Sequence, residues 1–161
     1  MAKTLAILSP KAANSLVQAY EAASELGPYE EVLILMQGPA AKVLAKGLPK
    51  IEGQKRDKRL QLLSRFEGKE TALALIPLLE DSRLAPEVMP VLIVFRGDSL
   101  AAFEDHLNQG KVNPAVKAAM ARILGKIGLK QAAPLLEDLA KDPSPQVRSA
   151  ADKALAQIRG F

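Results

Sequence analysis

His106 is the one histidine among 161 residues, and it stands beside Asp105 and two positions after Glu104. An imidazole next to carboxylates could move protons in general acid–base catalysis. A lone histidine at the charged end of a helix is also what an ordinary surface position looks like, and nothing else in the chain converges on it. There is no cysteine, which excludes disulfides, thiolate metal ligands and cysteine nucleophiles. The glycines follow no strand, so none of them forms a phosphate-cradling loop. These residues predict a protein without a catalytic site, a metal or a cofactor.

The chemistry that the chain does concentrate is positive charge. The net charge is +4, but it is unevenly spread. Residues 1–41 carry two cations against four acids, and residues 42–65 carry eight against two. Residues 66–110 reverse the sign, with three against eight, and residues 111–161 return to nine against four. The densest patch is Lys42, Lys46 and Lys50, spaced four apart as one helical stripe, with Lys55, Arg56, Lys58 and Arg59 following. Such a patch can steer an acidic protein surface, a nucleic-acid backbone or another anionic surface, or simply keep an alanine-rich helix solvated. Lys42, Lys46, Lys50, Lys55, Arg56 and Arg59 are the candidate partner-binding residues. Lys117 and Arg148 form a second set, each directly after the valine of a Pro-x-Val triplet. Their equivalence reads either as a basic ladder on the binding face or, the favoured reading, as a tie between repeats, with Asp142 and Asp138 as counter-charges.

The elements that carry these charges are helices. Apolar residues make up 48% of the chain and charged ones 25%, ordinary globular values that argue against disorder. There are six aromatics and no Trp, and the abundant Ala and Leu are strong helix formers. A β-sandwich would need more Val, Thr and aromatics. Glycines at 38, 68, 97 and 128 recur at spacings of 30, 29 and 31, each after an apolar run. They read as helix stops in the left-handed conformation. Prolines at 86, 114 and 145 recur at 28 and 31, with Pro28 in a similar place. They open helices, where a missing N–H costs nothing, with Asn113 and Ser144 as N-caps. Two markers thus share a period near thirty. The expected helices cover about 2–8, 12–26, 28–37, 40–50, 54–66, 70–80, 86–95, 99–108, 114–127, 131–141 and 145–158. One such hairpin cannot enclose its own apolar face, so neighbours must stack into a continuous core.

Ile127-Gly128, Ala132-Ala133-Pro134-Leu135-Leu136, Leu139, Asp142 and Val147-Arg148 with Ala150, Ala151, Ala154 and Leu155 resemble the bacterial HEAT-like repeat, the kind also found in phycobilisome lyases. The resemblance is good over 113–158, fair back to Gly38 and weak before it. It departs at Pro77, which lies later after its glycine than Pro134 does, and at the helix near 54–66, which has no proline start. It implies an all-α, right-handed solenoid of about five stacked antiparallel helix pairs. The chain is expected to be a single domain over 1–161, with 1–37 as a divergent N-terminal cap and 38–161 as recognisable repeats.

What the resemblance implies for function is a non-enzymatic protein–protein interaction scaffold that binds its partner, such as one with an acidic surface, on the concave or basic face. Two alternatives share the repeat type. One is nucleic-acid binding in the manner of HEAT-like alkylpurine glycosylases, although this chain lacks the Trp surfaces that usually hold an extruded base. The other is a bilin-lyase-like role, although such proteins are commonly longer or paired. The iron-binding deoxyhypusine hydroxylase type needs several His-Glu pairs, which are absent here. The early apolar run Leu5–Leu8 is too short for a signal-peptide core and no stretch reaches the length of a membrane span, so a soluble, cytoplasmic protein is expected.

Overall fold

The computed structural model describes residues 10–23 and 27–160. Among these there are ten α-helices, three short 3-10 segments and no strand. The helices are α1 (Pro10–Ala22), α2 (Gly27–Met36), α3 (Gly38–Gly47), α4 (Gln54–Ser64), α5 (Lys69–Leu75), α6 (Ala85–Val94), α7 (Gly97–Asn108), α8 (Pro114–Ile127), α9 (Ala133–Leu139) and α10 (Pro145–Arg159). The helix expected over residues 2–8 lies outside the described residues. No described helix is long and apolar enough to cross a membrane.

Helix α8 illustrates how local sequence makes these elements. Pro114 occupies its first turn, and the Asn113 side chain accepts a hydrogen bond from the Ala115 N–H at 2.9 Å. Val116, Met120, Ile123, Leu124 and Ile127 are buried at helical spacing, and each large side chain taken from water contributes about 1.5–3 kcal/mol. Gly128 ends the helix in the left-handed conformation, φ 72°, with its N–H returned to the Leu124 carbonyl. Ser144 departs from the expected capping role. Its side chain makes no cap bond at the start of α10, and its own N–H donates to Asp142 Oδ1 instead.

Packing alternates. Helices α1, α3, α5 and α7 contact one another in sequence as one layer, and α4, α6, α8 and α10 do the same as the other. Helix α2 rests on α1 and α3, and α9 on α10. A single apolar core runs between the layers from Ala13 to Leu155, with Leu33, Leu44, Leu63, Leu75, Leu92, Phe103, Met120 and Leu136 sealed inside it. The stacking that the thirty-residue period requires is therefore present as consecutive contacts between alternate helices.

The recurring glycines play three different parts. Gly128 is the left-handed stop expected of it. Gly68 takes positive φ but caps the start of α5. Gly38 and Gly97 are not stops: each is the first residue of the following helix, and the positive φ falls on the residue before it, Gln37 at 49° and Arg96 at 47°. At Gly38 the reason for glycine is proximity, since a Cβ there would lie 3.0 Å from Glu70 Cβ.

The repeat period also appears as hydrogen bonds thirty residues long. The Gln37 side chain accepts from the Glu67 N–H at 3.2 Å, and Asp98 Oδ2 from the Gly68 N–H at 3.0 Å. Two neighbouring turns thus converge on the one between them. They satisfy N–H groups at the start of α5 that the helix cannot pair internally.

Candidate functional site

A groove of about 670 Å³ lies between α1 and α3. Lys42 and Lys46 reach it from α3, and Lys50 from the 3-10 turn Leu48–Lys50 beyond the helix end. The stripe expected on a single helix therefore spans a helix and its turn, yet all three ammonium groups remain on one rim. Opposite them stand Asn14, Gln18 and Glu21 of α1, spaced four and three apart on one face. Val17, Val43 and Ile51 supply apolar lining between the rims. The α1 contribution is not legible in the sequence. Its only signal is the 14-18-21 spacing of polar residues, which any solvated helix face shares.

The six candidate residues separate by what holds them. Lys46 and Lys50 are exposed and make no ion pair with a described residue. Lys42 has Glu70 at 3.7 Å, with both side chains more than half exposed, a pairing that contributes little in water. Lys55 is exposed and lines a smaller adjoining cavity of about 250 Å³, together with Lys58. Arg56 points elsewhere: its Nη1 meets Glu87 Oε1 at 2.8 Å and its Nε donates to the Ile51 carbonyl at 2.8 Å. That pair ties α4 to α6, the next helix of its layer.

Arg59 is the unusual member. It is 5% exposed, forms an ion pair with Glu21, and donates to the Leu44 carbonyl at 3.2 Å. A buried guanidinium needs such partners to offset its lost hydration. Gly47 makes room for it, because a Cβ at that position would collide with the Arg59 guanidinium. Burial pushes the Arg59 pKa below its ordinary value, with the nearby Tyr20 acting in the opposite direction. Tyr20 is itself buried, and its hydroxyl makes no hydrogen bond of good geometry among the described residues. Desolvation first, and then the Glu30 carboxylate, raise its pKa above the usual phenol value. Arg59 thus forms the floor of the groove and fixes α4 against α1 and α3, while the lysines form its reachable edge.

Elsewhere the charges are used internally. Asp105, the imagined partner of His106, has its carboxylate engaged by Lys69 at 2.6 Å. Among the described residues no three His, Asp or Glu side chains converge to hold a metal ion. Lys117 Nζ meets Asp142 Oδ2 at 2.7 Å, and Arg148 Nη1 donates to the carbonyls of Asp142 and Pro143 at 2.9 and 2.8 Å. The equivalent Lys117 and Arg148 are therefore a structural tie around Asp142, as their placement in the repeat suggested. Asp138 takes no part in it and instead pairs loosely with Lys141 at 3.5 Å.

Two layers of helices stacked on one continuous core, with charge ties and hydrogen bonds recurring at the repeat spacing, define an α-helical repeat protein. Residues 100–160, a stretch that includes α8 to α10, match the family described as HEAT repeats. No curated protein and no solved structure matches the chain. HEAT repeats are commonly interaction scaffolds and typically non-catalytic.

Proposed function

We propose that the protein is a non-enzymatic scaffold that holds an acidic polypeptide in the groove between α1 and α3. The whole chain acts as one right-handed solenoid of five helix pairs, with residues 1–37 capping the repeats of 38–161. The observation that carries this reading is the pairing of Lys46 and Lys50, cations with no counter-ion among the described residues, with an aliphatic lining of Val17, Val43 and Ile51. Lys42 and Lys55 extend the rim, while Arg56 and Arg59 hold the helices that present it. Carboxylates of a partner would meet the ammonium groups, and its apolar side chains would cover the lining, the usual division between rim and core in a protein interface. A cytoplasmic location fits a chain without cysteine.

The test is a fluorescence titration with a labelled twelve-residue peptide alternating Glu with Leu and Ala. Binding that weakens on adding salt, and at least tenfold in Lys42→Gln/Lys46→Gln/Lys50→Gln, is the expected result. Absence of binding at low salt, or binding indifferent to those three changes, overturns the reading.

A further inference from the structure

A second groove, of about 350 Å³, lies on the other layer, between α8 and α10. Its cations are Arg122 and Lys126, one turn apart on α8, and Lys153 on α10. Gln146, Ser149 and Gln157 complete the polar lining, and Ala150 and Ala154 form the floor. All six polar side chains are exposed. Arg122, Lys126 and Lys153 make no ion pair or hydrogen bond with any described residue, whereas Lys117 on the same α8 is tied to Asp142.

We infer that this groove binds the sugar-phosphate backbone of duplex DNA without reading its sequence. Every polar side chain lining it can donate a hydrogen bond, and no carboxylate lines it. Arginine, lysine, serine and glutamine are the side chains that meet phosphate oxygens, contacts that position a duplex and carry no base information. No aromatic ring lines the groove, which removes the stacking platform on which single strands rely. An acidic peptide fits less well than it does between α1 and α3. Its apolar side chains would find alanine methyls and Met89, with no branched aliphatic lining. The two surfaces belong to different layers, so this inference stands or falls independently of the α1–α3 groove.

The experiment is an anisotropy titration of the full chain against a fluorescein-labelled duplex of mixed sequence, repeated from low to moderate salt. Three neutralised phosphates give a slope of log K against log salt of about −2.7. Arg122→Gln/Lys126→Gln/Lys153→Gln should weaken binding at least tenfold at low salt and flatten that slope. Lys42→Gln/Lys46→Gln/Lys50→Gln should leave both within twofold. If the first triple variant fails to fold, Lys126→Gln and Lys153→Gln decide singly, each flattening the slope by about 0.9. No binding at low salt overturns the inference, as does binding that survives the α8–α10 changes or disappears with the α3 changes. Finding that the acidic peptide depends on Arg122, Lys126 and Lys153 also overturns it, by assigning the groove to a protein.

Discussion

The region from α8 to α10 and the region from α1 to α4 are both basic, but they hold their charges in different ways. In the former, Lys117, Asp142 and Arg148 close on one another and on the turn that leads into α10. In the latter, Arg59 is drawn into the interior while Lys46 and Lys50 stand clear on the groove rim. A cation whose acid lies about one period away in sequence and is itself half-buried or better belongs to the stack: Arg56 with Glu87 is 31 residues apart, Arg65 with Glu30 is 35, and Lys117 with Asp142 is 25, whereas Glu70, the acid near Lys42, is more than half exposed. A cation without such an acid is available to something else. In a repeat protein, the sequence distance to a counter-ion, taken together with that counter-ion's burial, therefore separates the charges that hold the stack together from those that face a partner.

The largest expected effect tests whether the α8–α10 region is the stable part. Leu136 is fully buried, and Leu136→Ala should lower the unfolding free energy by about 2–5 kcal/mol in a denaturant titration. A loss below about 1 kcal/mol would mean that α9 contributes little to the core and that this half is no firmer than the other.

A smaller effect sharpens the idea of a structural tie. Asp142 is buried, and the hydrogen bond from Lys117, followed by that from the Ser144 N–H, holds its carboxyl below the usual range. A carboxyl whose pKa is depressed on folding stabilises the protein above its unfolded value of about 3.9, and that stability disappears as pH falls through the folded value. Asp142→Asn should therefore cost about 1–2 kcal/mol near neutral pH, since Lys117 remains partly exposed. The difference from wild type should shrink as the solution is acidified. An offset that stays constant from neutral to strongly acid pH would remove the charge tie as its cause.

The smallest effect separates two equivalent turns. Arg96 has φ 47°, ψ −109°, and Gln37 has φ 49°, ψ −123°, a region that costs an ordinary residue about 1–3 kcal/mol. Arg96→Gly should stabilise by up to about 1 kcal/mol, because glycine's greater unfolded freedom takes back part of the relief. Gln37→Gly should gain less, because it also removes the side-chain acceptor for the Glu67 N–H. Equal thermal shifts for the two would show that this hydrogen bond contributes nothing.

The helices are readable in the residues wherever punctuation is explicit. Asn113-Pro114 and Gly128 bound α8 at the expected residues. Ends are less clear where proline follows an apolar run. Pro49 and Pro77 lack the N–H that an α-turn needs, so α3 and α5 give way to 3-10 segments at Leu48 and Ile76. The location of the groove is half readable, since the 42-46-50 spacing names one rim. Which cations stay free is not readable, because Arg59 and Lys58 are alike in sequence context. Only the fold places Glu21 and the Leu44 carbonyl around one of them.

Gly125 sets the geometry of the last step in the stack. A Cβ there would stand 2.9 Å from the Cα and Cβ of Ala154 and would collide with the Gln157 side chain, so α8 approaches the α10 backbone with nothing larger than the Ala154 methyl between them. A two-layered array bends toward whichever layer has its rods closer together. This one glycine therefore acts as a missing wedge, and inserting a methyl group there would change the direction in which the terminal hairpin points. The trajectory of the array at its end is controlled by the smallest residue in it.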